Sequence, residues 1–126
     1  MNTFGILPDF IRKECIKEML LCAGPGGKMV IGCWHKDSLR TGFEKFYSKH
    51  PELCGVCKES DFDFEKGNFN CSSSDYTSHW WSDDELRSMI SEVFPGKPED
   101  LNIRFEIIGI GIFAICEIAK DANLIR

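Results

Sequence analysis

Cys54-Gly-Val-Cys57 is the pair of side chains in this chain whose chemistry is easiest to name. Two thiols at this spacing suit a redox couple or half of a tetrahedral zinc site. A four-ligand site needs two further donors, and His50, Cys71 or His79 could supply them after folding. No second pair at finger spacing follows, and the flanking residues do not read as a strand feeding a redox helix. The preferred reading is therefore a chain without a metal. The second chemical group is aromatic. Trp34 and His35 close the apolar run Met29–Cys33, and Tyr76, His79, Trp80 and Trp81 fall together in the segment YTSHWW. Such rings can wall a pocket for a hydrophobic molecule or face a cation, and they can equally cover a sheet end or anchor a hairpin. His35 is the group at the strand end able to move a proton near neutral pH.

The chain that must position these groups has 126 residues, enough for one domain. Its 15 basic and 20 acidic side chains give a net charge of −5, with no basic patch carrying interleaved aromatics. That balance argues against a nucleic-acid footprint. No apolar run approaches the ~20 residues of a spanning helix. MNTFGILPDF has neither the basic region nor the cleavage site of a signal peptide. Seven cysteines at irregular spacing make a poor disulfide framework. Cys15, Cys22, Cys33 and Cys116 sit in apolar patterns as small hydrophobes, so a reducing, cytoplasmic setting is expected.

Hydrophobic periodicity supplies the elements. Beyond Pro8, Ile11, Cys15 and Met19 recur four apart with Ile16 and Leu20 beside them, opposite Arg12, Lys13, Glu14, Lys17 and Glu18. This predicts an amphipathic helix, ended by Gly24-Pro25 and reversed at Gly26-Gly27. The continuous apolar run Met29–Cys33 predicts a strand covered on both faces, as in a parallel sheet, with Trp34 and His35 at the end where open α/β sheets bind ligands. Asp37 is a candidate cap for a second helix presenting Leu39, Phe43, Phe46 and Tyr47, closed by Pro51. Alternation in Asp61–Phe64 and Asn68–Cys71, around Glu65-Lys66-Gly67, predicts a hairpin, and Tyr76–Trp81 a third short strand. Ser82 to Glu85 form a capping box for a helix to about Phe94, with Leu86, Met89, Ile90 and Val93 inward. Ile103, Phe105 and Ile107 alternate with Arg104 and Glu106 as an edge strand. Ile110–Ile118 is nearly all apolar and predicts a central strand, joined to the edge strand as a hairpin through Gly109 and Gly111.

This order resembles the C-terminal half of a class I S-adenosylmethionine-dependent methyltransferase. The resemblance is carried by Asn2-Thr3-Phe4-Gly5, by the helix and turn that lead through Gly24–Ile31 into a strand, and by the two closing strands. It implies an α/β fold: a partial Rossmann-like sheet of the last three strands, the final one antiparallel, with flanking helices and a small hairpin insertion at about 52–81 in a single domain 1–126. It also implies that Asn2 and Thr3 lie near the cofactor's methionine moiety, and that Trp34, His35, Tyr76, His79 and Trp80 border a pocket for a small methyl acceptor. The family's glycine-rich strand–loop–helix and the acidic residue that follows it have no counterpart in these residues. Gly24–Gly27 follows a helix and precedes a strand, the reverse order. The expectation is thus a methyltransferase fragment, or one part of a split or oligomeric enzyme, that binds S-adenosylmethionine weakly or not at all alone. A homodimer or a complementary N-terminal half would cover the edge of strand 29–33. The alternatives are a non-catalytic binding or assembly module with the same half-fold, and a small zinc-stabilised domain using Cys54 and Cys57.

Overall fold

The structure, a computed structural model, describes residues 3–125, and side chains from Phe4. In chain order it holds α1 (Thr3–Ile6), α2 (Asp9–Ala23), β1 (Lys28–Trp34), α3 (Leu39–Gly42), β2 (Phe62–Asp63), β3 (Asn68–Asn70), β4 (Thr77–His79), α4 (Asp83–Val93), β5 (Leu101–Ile108) and β6 (Gly111–Ile118). The chain is mixed α/β, with two three-stranded sheets. No helix of the described residues is long and apolar enough to cross a membrane. Contacts gather the residues into two compact units, Leu7–Gly32 with Asp83–Arg126 and Met1–Ile6 with Cys33–Ser82.

The first unit is a sheet in the order β1-β6-β5 with helices against it. β5 and β6 pair antiparallel from Leu101↔Ile118 to Ile108↔Gly111. The two-residue connection has Gly109 at φ +59, the left-handed value that the first position of a II′ hairpin turn requires. β6 also runs antiparallel to β1. Gly27 O accepts from Ile118 N at 3.0 Å, Lys28 meets Glu117 at 3.7 Å, and Gly32 lies against the Phe113 ring. Ile110–Ile118 was expected as the inner strand and Ile103–Ile107 as the edge strand, and both hold these places.

Three expectations for this unit need correction. β1 alternates between exposed and buried residues. Met29, Ile31 and Cys33 are buried, while Val30 is 54% exposed. Only one face is covered, because an ion strip of Lys28, Glu117, Arg104 and Glu106 crosses the other face of the sheet. In α2 the buried stripe is Ile16 and Leu20, whereas Cys15, Cys22 and Met19 are exposed. Apolar residues lie on both sides of this helix, and the side that packs against α4 decides which are inward. Ile107 was expected inward at the end of β5, but it lies in the exposed hairpin tip with Ile108. α4 matches its expected span, with Leu86, Met89 and Ile90 buried.

The second unit is built on the sheet β2-β3-β4, with Phe62↔Phe69 and Phe69↔Ser78 in register. The expected hairpin and third strand are both present. The expected second helix is broken up instead: a 3₁₀ turn Lys36–Ser38, then α3, then a π-helical turn Phe43–Tyr47. Asp37 sits inside the 3₁₀ turn, and His35 rather than Asp37 is the residue before it. Leu39 and Tyr47 still face inward, while Phe46 is exposed.

Candidate functional site

Trp80 is the centre of the second unit and is fully buried. Its backbone N–H donates to Gly67 O at 2.8 Å, fixing it one residue past the end of β4. Its indole is seated against Gly42, where a Cβ would stand 2.5 Å from the ring, so any side chain larger than hydrogen there displaces the tryptophan. Trp34, at the end of β1, tilts onto the same ring with centroids 4.7 Å apart. Tyr47 approaches it edge-on at 6.5 Å. Phe69 lies 4.6 Å from Tyr47 and stacks parallel on Phe62 at 4.2 Å. Tyr76 borders this group, 5.7 Å from Phe69 and 6.4 Å from Tyr47.

The backbone brings the two histidines to the neighbouring ring, Trp81. His35 and Trp81 form an isolated parallel bridge, in which Trp81 N donates to Trp34 O and Lys36 N donates to Trp81 O, each at 2.8 Å. His35 Nε2 stands 3.7 Å from Asp37 Oδ2. His79 Nδ1 is 2.7 Å from Asn68 Oδ1, and its ring meets Trp81 edge-on at 4.5 Å. Phe4 of α1 closes the other side of Trp81, at 5.2 Å.

The five residues expected at an acceptor pocket, Trp34, His35, Tyr76, His79 and Trp80, thus come together in one unit. Trp80 is a core anchor, and Trp34, His35, Tyr76 and His79 remain half-buried around it. Of the pair expected near a cofactor, Asn2 lies outside the described residues and Thr3 begins α1. Sequence reading did not single out Tyr47 for this site. Its spacing marked it only as an inward helical residue, and its meeting with Tyr76 and Trp80 depends on the π-helical turn. The Tyr47 hydroxyl and Trp80 Nε1 are buried with no hydrogen-bond partner of good geometry. Burial, then the neighbouring Tyr76, push the Tyr47 phenol well above its ordinary range, so it is a neutral donor.

The cysteine group lies elsewhere in the unit. Cys71 Sγ reaches into the Cys54–Cys57 loop, 3.5 Å from Cys54 O and 3.6 Å from Val56 O. Burial raises the Cys71 thiol, but the Ser73 and Ser74 hydroxyls and the Ser73 N–H outweigh it and hold the thiol below its ordinary range. Burial, then the Cys71 and Cys57 thiols, push the Cys54 thiol up to about 11. His50 pairs with Glu52 and His79 with Asn68. Among the described residues, no group of three or more His, Cys, Asp or Glu side chains stands in a metal-holding arrangement.

The chain is thus a mixed α/β protein whose second unit holds an aromatic cluster bordered by half-buried Trp34, His35, Tyr76 and His79. Comparison of the chain with protein-family models, with curated proteins and with solved structures returns no match.

Proposed function

We propose that the chain is the acceptor-binding part of a class I S-adenosylmethionine-dependent methyltransferase, with β1, β5 and β6 as the closing strands of that sheet. The observation that carries this reading is the strand order β1-β6-β5, in which the last strand lies antiparallel between the other two, together with the aromatic site at the C-terminal end of β1. The described residues do not fit the cofactor. The glycine-rich turn Gly24–Gly27 spends its amides internally: Gly26 N donates to Ile118 O and Ala119 O, and Gly27 N to Gly24 O. No step through the cofactor is therefore derived, and this chain alone binds S-adenosylmethionine weakly or not at all.

The residues present contribute recognition of the acceptor. Methyl transfer depends mainly on alignment, with a base needed only when the acceptor must lose a proton. Trp34 and Tyr76 take the flat body of the acceptor, and the ring contacts Trp34–Trp80, Trp80–Tyr47 and Tyr47–Tyr76 join them. His35, whose side chain is 12% exposed and lies beside Asp37, is the group placed to take a proton. The test is a titration of the labelled protein with a panel of small aromatic amines and phenols, following the indole N–H resonances. The signals of Trp34 and Trp80 are expected to shift saturably, with weak binding typical of fragments. Shifts confined to residues outside the second unit would sink the assignment. Calorimetry with S-adenosylmethionine is expected to give no stoichiometric binding, and tight binding would refute the incomplete-cofactor reading.

A further inference from the structure

The outer edge of β1 has a register that can be read residue by residue. The pairs 27/118, 28/117 and 32/113 share one antiparallel register with β6. Because Gly27 O accepts from Ile118 N, the backbone groups of Met29, Ile31 and Cys33 point toward β6. Those of Lys28, Val30 and Gly32 then point away, into the open edge. The same alternation sends Trp34 O outward, where Trp81 N takes it at 2.8 Å. Trp81 thus ends the open row at its C-terminal limit. No strand of the described residues pairs with the row between Lys28 and Gly32.

This open row borders a shallow groove of about 470 Å³ between α2 and β1. Met19 and Cys22 line it from α2 and Val30 from β1, and all three are exposed. One anion, Glu18, and one cation, Lys28, complete it. The groove carries both signs about an apolar centre, with Lys28 also 3.7 Å from Glu117, so a second copy meets no field of a single sign there.

We propose that β1 pairs with β1 of a second copy of this chain, antiparallel across a two-fold axis at Val30. The edge is self-complementary in that arrangement. Val30 faces Val30 of the other copy and exchanges both N–H···O bonds with it, and Lys28 faces the other copy's Gly32, which has no side chain to crowd the lysine. The result is one continuous six-stranded sheet with an isologous interface and the vulnerable edge removed. The inference rests on the β1–β6 register and not on the methyltransferase reading, so either can fail without the other.

The test is sedimentation equilibrium of the full chain in reductant, which prevents disulfides between the exposed Cys15 and Cys22 thiols. The wild type is expected to be a dimer that dissociates on dilution. Val30→Pro removes an outward N–H while leaving every β1–β6 bond, and it should raise the dissociation constant at least about tenfold. Val30→Lys keeps the whole backbone and places like charges at the axis, so it should do the same if the proline variant fails to fold. Hydrogen exchange supplies a positional check: the Val30 and Gly32 amides should be slow in the dimer and fast on dilution, while those of Met29 and Ile31 stay slow in both. A wild type that remains monomeric at high concentration, requiring some other polypeptide to fill the edge, overturns the proposal. So does a dimer that Val30→Lys leaves intact.

Discussion

At the scale of single residues, the second unit depends on one ring more than on any other. Trp80 is fully buried, touches Trp34 and Tyr47, and fills the space left by the missing side chain at Gly42. Trp80→Ala should cost about 3–5 kcal/mol in urea unfolding, the range for a large aromatic lost from a core. Gly42→Ala should cost about 1–3 kcal/mol by overpacking against the same ring. A loss below about 1 kcal/mol for the tryptophan variant would show that the ring cluster can collapse around the gap. In the first unit Cys116 is fully buried, and burial pushes its thiol from an ordinary value near 9 up to about 11. The raised value favours the protonated form in the folded state. Its contribution is therefore complete below pH ~9 and lost as pH rises toward ~11. Urea midpoints should fall across that window, and Cys116→Ala should flatten the part of the slope that this thiol causes.

At the scale of elements, the closing hairpin was the most legible part of the chain. Alternation of Ile103 and Phe105 with Arg104 and Glu106 marked an edge strand, and the unbroken apolar run after Gly109 marked an inner one. The first pattern matches an edge place in the strand order and the second an inner one. Gly109 is a clean test of the turn, because a Cβ there meets nothing within 4 Å and its φ is +59. Gly109→Ala should therefore cost about 1 kcal/mol, all of it conformational, read as a shift in the urea midpoint without a change in slope. The same reasoning misread β1. Met-Val-Ile-Gly-Cys is as apolar as β6, yet Val30 lies on the exposed face. Continuous hydrophobicity is compatible with burial on both faces but does not require it, and it carries no information about which neighbour is present. The helix after His35 failed for a local reason. Leu39, Phe43 and Tyr47 do recur at helical spacing, but the chain passes through 3₁₀, α and π turns in twelve residues to bring Leu39 and Tyr47 inward.

At the scale of the whole chain, neither unit is a continuous segment. The first is assembled from Leu7–Gly32 and Asp83–Arg126, with Cys33–Ser82 running as an excursion between them. The composition of that excursion explains why the candidate site was partly visible beforehand: Tyr76, His79 and Trp80 are dense in one short stretch. That they would close on Trp34 was a matter of topology. The closure depends on the parallel bridge between His35 and Trp81, which two isolated residues form with no periodic signal in sequence. The same bridge makes the excursion removable in principle. Trp34 O and Trp81 N are 2.8 Å apart, so the chain leaves and returns at one point. Replacing residues 37–79 with a short Gly/Ser link should leave α2, α4 and the β1-β6-β5 sheet folded. The expected readouts are a cooperative thermal transition with a smaller unfolding enthalpy, and retained slow exchange at Ala114 and Cys116 in the inner strand. A non-cooperative melt with those amides unprotected would mean instead that the sheet cannot stand without the aromatic unit, and that the two compact units form one cooperative fold.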